Sequence, residues 1–171
     1  MASKTSFAML AAAVIFASAC AKTNTDPARP SAVCPIDAAP LSDGARKAVE
    51  RALADERRAE ATYAALDAKL AVTSPFMRIV RAERRHATAL EGLLSTRGLP
   101  LPGSEAITPP AITSRAEACK LGVASERANI ALYDELLAGA LPSDVRCVFE
   151  HLRDASRLRH QPAFERCAAE P

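Results

Sequence analysis

Glu83-Arg84-Arg85-His86 sets a carboxylate and an imidazole three residues apart, and on a helix that spacing brings both to one face. Three other stretches carry the same kinds of group amid apolar residues at helical period. Glu56 lies on a stripe with Val49, Leu53, Tyr63 and Leu70, and Glu83 on one with Phe76, Ile79, Ala87, Leu90 and Leu94. Glu126 lies among Cys119, Val123, Ile130, Tyr133 and Leu137, and His160 among Val145, Phe149, Ser156 and Phe164. An isolated buried carboxylate costs several kcal/mol, so such a group must be protonated, ion-paired or metal-bound. Glu and His donors converging from facing helices make a carboxylate-bridged site for one or two ions, and imidazole plus carboxylate suits iron or manganese. The expected ligands are Glu56, Glu83, His86, Glu126 and His160, with Glu83 or Glu126 bridging and the histidines terminating. A second Glu-x-x-His would need an acid three residues before His160, where Arg157 stands instead. Glu60, on the Glu56 stripe, is a reserve ligand. His151 points the opposite way and is expected at the surface.

Four helices must carry these groups. Ser42 caps a first helix to about Leu70, and Ser74-Pro75 opens a second that ends near Gly98. Residues 99–113 hold Pro100, Pro102, Gly103, Pro109 and Pro110 and are not regular helix. Ser114-Arg115-Ala116-Glu117 is a capping box for a third helix stopping near Gly139. Ser143 begins a fourth, bent or ended at Pro162. About fifteen extended residues reach roughly 50 Å, whereas a helix of about 25 residues is roughly 37 Å long. The middle connection can therefore cross the whole bundle, which would make helices 2 and 3 parallel, and helices 1 and 4 parallel as well, in place of a simple up-down-up-down order.

That topology pairs the cysteines. Cys34 and Cys147 share one end and Cys119 and Cys167 the other, which predicts disulfides Cys34–Cys147 and Cys119–Cys167. No C-x-x-C pair exists to suggest a zinc ribbon or a thioredoxin-like centre. The fifth cysteine, Cys20, follows Ala17-Ser18-Ala19 at the end of an apolar run from Phe7 to Phe16 behind Lys4. Residues 1–19 read as an export signal, and Ala17 to Cys20 as a partial bacterial lipobox with Ala17 in the usual leucine position. Lipidation of Cys20 would anchor the chain to a membrane without spanning it, facing the periplasm in the cell envelope. Residues 20–40, with Pro27, Pro30, Pro35 and Pro40, form a tether. The bundle covers 41–167 and leaves a tail at 168–171.

Composition agrees with this architecture. Alanine fills 38 of 171 positions, aromatics are 4%, and the formal charge is +2. Such a chain favours closely packed helices over a β-sandwich and offers no electrostatic case for nucleic acid. Arg81, Arg84 and Arg85, with acids interspersed, read as a solvated helix face. No Gly-rich phosphate loop occurs, and nothing places a serine nucleophile beside either core histidine. Tyr63 and Tyr133 are expected in the core with hydrogen-bonded hydroxyls.

Ala54-Asp55-Glu56 through Ala61-Thr62-Tyr63, Ser74-Pro75-Phe76 with Ile79 and Ala82-Glu83-x-x-His86 resemble the ferritin-like, rubrerythrin-related bacterial domains of unknown function. Glu126 through Tyr133, Val148-Phe149-Glu150-x-Leu152 and Arg159-His160-Gln161-Pro162-Ala163-Phe164 continue the resemblance. It covers about residues 41–167 and implies an all-α, ferritin-like four-helix bundle, with a long crossover between helices 2 and 3 and room for an iron site. It supplies no activity. Two positions depart from the rubrerythrin pattern: Arg157 replaces a ligand, and Asn129 stands where an additional glutamate is usual. Arg153, near the His160 face, could neutralise a core carboxylate. Two functions are therefore weighed. One is an exported iron or manganese protein with redox activity. The other is a non-enzymatic envelope module, serving a protein partner, whose core carboxylates form a metal-free ion-pair network.

Overall fold

The computed structural model describes residues 34–71, 74–108 and 111–170. The export signal, Cys20 and most of the tether lie outside the described residues. The chain forms four helical rods: α1 (Asp43–Leu70), α2 (Phe76–Ser95), α3 (Arg115–Leu137), and a fourth built from α4 (Ser143–Ala155), a π turn (Ser156–His160) and α5 (Gln161–Ala169). Ser42 caps α1 through its side chain, accepting from the Ala45 amide, and Ser114 caps α3, accepting from Glu117. No side-chain cap opens α2, which starts after Pro75.

Both expected disulfides are present, Cys34–Cys147 and Cys119–Cys167. The first joins the segment before α1 to the start of α4. The second joins the start of α3 to α5. Helices 1 and 4 therefore run the same way, and residues 96–114 carry the chain the length of the bundle, making α2 and α3 parallel. Arg57 fastens this crossover to α1, donating to the Pro102 carbonyl at 2.6 Å and to Glu91 on α2 at 2.7 Å. Together these make an all-α four-helix bundle with a long connection between helices 2 and 3.

The fourth helix differs from expectation. Pro162 does not end it, and the helix continues through Cys167 to Ala169, taking in half of the expected tail. Proline at 162 has no N–H for the Leu158 carbonyl, and its ring crowds that carbonyl. The preceding turn widens instead, so that the Gln161 amide bonds back to Ser156, a π turn that resets the register.

Two apolar clusters fill the bundle. One gathers Val49, Leu53, Leu90, Leu94, Tyr133, Val145 and Phe149, and the other Tyr63, Leu66, Phe76, Ile79, Cys119 and Phe164. Buried alanines at 45, 48, 52, 82, 87, 118 and 163 let the rods approach closely. Apart from Asp144 at the start of α4, the polar buried residues of every rod fall between the positions that feed the two clusters. The core is thus two apolar layers with a polar layer at mid-height. No helix among the described residues is long and apolar enough to cross a membrane.

Candidate metal centre

Each rod contributes to the polar layer at the position where its apolar stripe is interrupted. Glu56 comes from α1, Glu83 and His86 from α2, Glu126 and Asn129 from α3, and Ser156 and His160 from the π turn. Glu56, Glu83 and Glu126 are 0–2% exposed and His160 5%. All five sequence-predicted ligands are therefore brought together.

Glu83 is the hub. Its Oε2 lies 2.9 Å from His86 Nδ1 and its Oε1 lies 2.9 Å from His160 Nδ1. His86 Nδ1 also meets Glu56 Oε2 at 3.2 Å, and His160 Nδ1 lies 3.5 Å from Glu126 Oε2. The two imidazoles stack, with centroids 5.4 Å apart and planes within 18°. The outer carboxylates are held from behind. Tyr133 donates to Glu56 Oε1 at 2.6 Å and Tyr63 to Glu126 Oε1 at 2.8 Å. The Asn129 amide donates to Asp55 at 2.9 Å and to Glu56 at 3.3 Å, while its own oxygen accepts from Ser156 Oγ at 2.8 Å. The result is a linear array, Tyr133–Glu56–His86–Glu83–His160–Glu126–Tyr63, in which two carboxylate–histidine triads share Glu83.

Proximity at the centre is not matched by alignment. Glu83 Oε1 and His160 Nδ1, though 2.9 Å apart, are fully buried and complete no hydrogen bond. Burial without a completed hydrogen bond costs on the order of 1–3 kcal/mol per group, and such a group in a folded protein calls for an explanation, a bound ion being one. Three carboxylates and two imidazole nitrogens, none bonded by an arginine or lysine, suit a hard or borderline divalent cation such as iron(II) or manganese(II). Hydrogen bonds from tyrosine and asparagine to the carboxylates supply the outer-sphere support that metal ligands normally have. The residues fit the group.

The electrostatics follow from the array. Burial and the neighbouring Glu83 charge push Glu56 up to about 7. Burial would also raise Glu83, but the adjacent His160 and His86 imidazoles override it and hold that carboxyl at about 2. Burial lowers both imidazoles, yet the carboxylates around them win, raising His86 to about 10 and His160 to about 9. Tyr63 and Tyr133 are raised well above the usual phenol value, first by burial and then by Glu126 and Glu56 respectively. Without metal, the layer is therefore a chain of imidazolium–carboxylate pairs.

Several other candidates fall outside the layer. Glu60 accepts from Arg84 at 2.7 Å at the bundle edge. Arg157 does not occupy the sixth-ligand place: it is exposed and pairs with Asp134 at 2.9 Å. The π turn instead directs Ser156, four residues before His160, into the core. Arg153 binds Asp134 and Asp154 and neutralises no core carboxylate. His151 is half-buried, with Nδ1 3.3 Å from Cys34 Sγ. Asp55, not anticipated from the sequence, joins through Asn129. A cavity of about 350 Å³ between α1 and α3, under Thr108 of the crossover, reaches Glu83, Glu126 and Tyr63.

Fold and site together define a four-helix bundle with a carboxylate–histidine layer at mid-height. A crystal structure of a hypothetical protein from Methanococcus jannaschii is similar, with a TM-score of 0.70 at 23% identity, covering 78% of this chain and 85% of that one. At that identity the likeness establishes the fold alone. No family model and no curated protein matches the chain.

Proposed function

We propose that this protein is a ferritin-like, exported metal-binding bundle that holds one or two iron or manganese ions on Glu56, Glu83, His86, Glu126 and His160. The observation that carries the reading is the sharing of Glu83 by two carboxylate–histidine triads, with Glu83 Oε1 and His160 Nδ1 buried and unsatisfied. Glu83 is the bridging carboxylate of this proposal, and each histidine closes one triad through Nδ1. Tyr133 and Asn129 fix Glu56, and Tyr63 fixes Glu126, so the donors are set by packed groups on rigid helices. Bound iron or manganese would supply one-electron redox chemistry and an open position for dioxygen or peroxide. The α1–α3 cavity, which reaches Glu83 and Glu126, is the route of this proposal for such small molecules to the carboxylate side. A periplasm-facing location, with a lipid on Cys20 as anchor, rests on the apolar run and the Ala17–Cys20 sequence.

The alternative, a metal-free structural or interaction module, is favoured by one feature: each imidazole already faces two carboxylates within 3.5 Å. Loading the purified protein with Fe(II) or Mn(II) and measuring retained metal separates the two. Retention of less than about a tenth of an equivalent, with no rise in melting temperature, eliminates the metal reading. On that reading Glu83→Ala and His86→Ala each abolish retention, and His151→Ala does not.

A further inference from the structure

Cys147 and His151 stand one turn apart on α4, so both side chains fall on one face of that helix. Cys34, in the segment before α1, reaches that face and closes the disulfide. His151 Nδ1 lies 3.3 Å from Cys34 Sγ, and donor atoms of the three residues are all within 4.8 Å of one another. A disulfide sulfur carries no hydrogen and offers only lone pairs. The contact is therefore a hydrogen bond donated by Nδ1–H of His151 to the Cys34 sulfur, which fixes where the imidazole proton sits.

The two disulfides differ in their surroundings. Cys119 and Cys167 are 0% and 2% exposed, inside the apolar cluster around Phe164. Cys34, Cys147 and His151 are all half-buried, and Pro35 and Ile36 beside Cys34 are exposed, Ile36 by 85%. One pair is thus open to an outside thiolate and the other is closed off. Thiol–disulfide exchange is governed by that access and by how well the leaving sulfur carries negative charge. A hydrogen-bond donor beside a thiolate favours its charged form, and the His151 donor points at Cys34.

We propose that Cys34–Cys147 is a redox-active disulfide that takes electrons from a dithiol, with His151 stabilising Cys34 as the leaving group. One thiolate of the dithiol attacks Cys147 Sγ and forms a mixed disulfide. The Cys34–Cys147 bond breaks, and its electron pair leaves on Cys34 Sγ. The Nδ1–H of His151 holds that thiolate until it takes up a proton from solvent. The second thiol of the dithiol loses its proton to solvent and attacks its own partner sulfur, releasing Cys147, which is protonated in turn. The dithiol departs as a disulfide, oxidised by two electrons, and the protein is left with two thiols. The activity stands whether or not the carboxylate layer holds metal.

The test uses the folded full-length protein with both disulfides intact and any Cys20 thiol blocked by iodoacetamide. It is reduced with dithiothreitol, quenched with N-ethylmaleimide at intervals and mapped by peptide mass spectrometry. Cys34–Cys147 is expected to open about tenfold or more faster than Cys119–Cys167. His151→Leu should slow that opening about tenfold or more and leave Cys119–Cys167 unchanged. His151→Asn, which keeps an N–H donor near the same place, should stay within about threefold of the parent. With glutathione, a monothiol, the trapped mixed disulfide should form on Cys147, and His151→Leu should erase that preference. Circular dichroism checks that each variant folds. The proposal is overturned if the two disulfides open at equal rates, or if His151→Leu stays within about twofold of the parent. It is overturned equally if His151→Asn is as slow as His151→Leu, or if the parent traps glutathione on both sulfurs alike.

Discussion

Tyr133 on α3 donates to Glu56 on α1 across 2.6 Å, and Tyr63 on α1 donates back to Glu126 on α3 across 2.8 Å. This exchange ties the two helices together through the carboxylates that flank Glu83. Each hydroxyl occupies Oε1 of its partner and leaves Oε2 facing an imidazole. The tyrosines therefore decide which oxygen of each carboxylate is available to a cation.

Tyr133→Phe tests that role. The substitution keeps the ring and its edge-on contact with Phe149 but leaves Glu56 Oε1 with only the Asn129 amide at 3.3 Å. Loss of an outer-sphere hydrogen bond of this kind lowers metal affinity about 10–100-fold. The metal-free protein should lose about 1–3 kcal/mol. Chelator competition and denaturant unfolding measure the two effects separately, and unchanged affinity would show that Glu56 is not a ligand.

The charges in the layer predict how metal and protons compete. His86 and His160 titrate at about 10 and 9 in the folded protein, against an unperturbed value near 6.5. Stability from these raised groups is fully present below about pH 6.5 and is lost as pH climbs through 9 to 10. Glu83 is depressed to about 2, so its contribution is present above about pH 4.5 and is lost as pH falls through 2. Glu56 works against the fold once ionised, raised as it is to about 7. The melting temperature of the metal-free protein should therefore fall steadily between about pH 6.5 and 10. Ligation needs neutral imidazoles and ionised carboxylates, so loading near pH 7 should release about two to three protons. Calorimetry in buffers of different ionisation enthalpy counts them, and zero release would contradict ligation by these histidines.

Much of this site could be read from periodicity because Glu56, Glu83, Glu126 and His160 interrupt apolar stripes that are otherwise regular. The disulfide pairing followed from the length of the middle connection compared with that of a helix. The π turn had no such signature. Pro162 signalled a disruption, but a widened turn and a bend begin from the same lost hydrogen bond. With ideal helical spacing, position 157 falls on the site, whereas the extra residue in the turn moves Arg157 out to Asp134 and Ser156 in toward Asn129. The Asn129–Asp55 bond joins residues 74 apart, and no local pattern encodes such a pair.

Gly122 links packing to the site. A Cβ built there would stand 2.5 Å from the Phe164 ring, a separation that forces the ring or α3 to move. Phe164 is wedged against Tyr63 and Phe76, with centroids 5.0 Å away in both cases. Gly122→Ala should cost about 1–3 kcal/mol by overpacking, even though alanine is the better helix former. Because Tyr63 holds Glu126, the same substitution should weaken metal retention. A variant that is more stable than the parent would show that the ring has room to shift.

Arg97 and Asp144 form the ion pair that closes the opposite end of the bundle. Their side chains are each 2% exposed and meet at 2.8 Å. Arg97 also donates to the Ala39 and Leu93 carbonyls, joining the segment before α1 to the end of α2. Asp144 in turn accepts from the Val145 amide in the first turn of α4, where a negative charge is favourable. Removing one partner from such a pair strands the other charge out of water, so Arg97→Ala should destabilise by about 3–5 kcal/mol. Removing both, as in Arg97→Met/Asp144→Leu, relieves the stranded charge and should recover a large part of that loss. Denaturant unfolding of the two single variants and the double variant yields the coupling energy. Near-zero coupling would mean that Arg97 acts through its carbonyl contacts and that the pair itself contributes nothing.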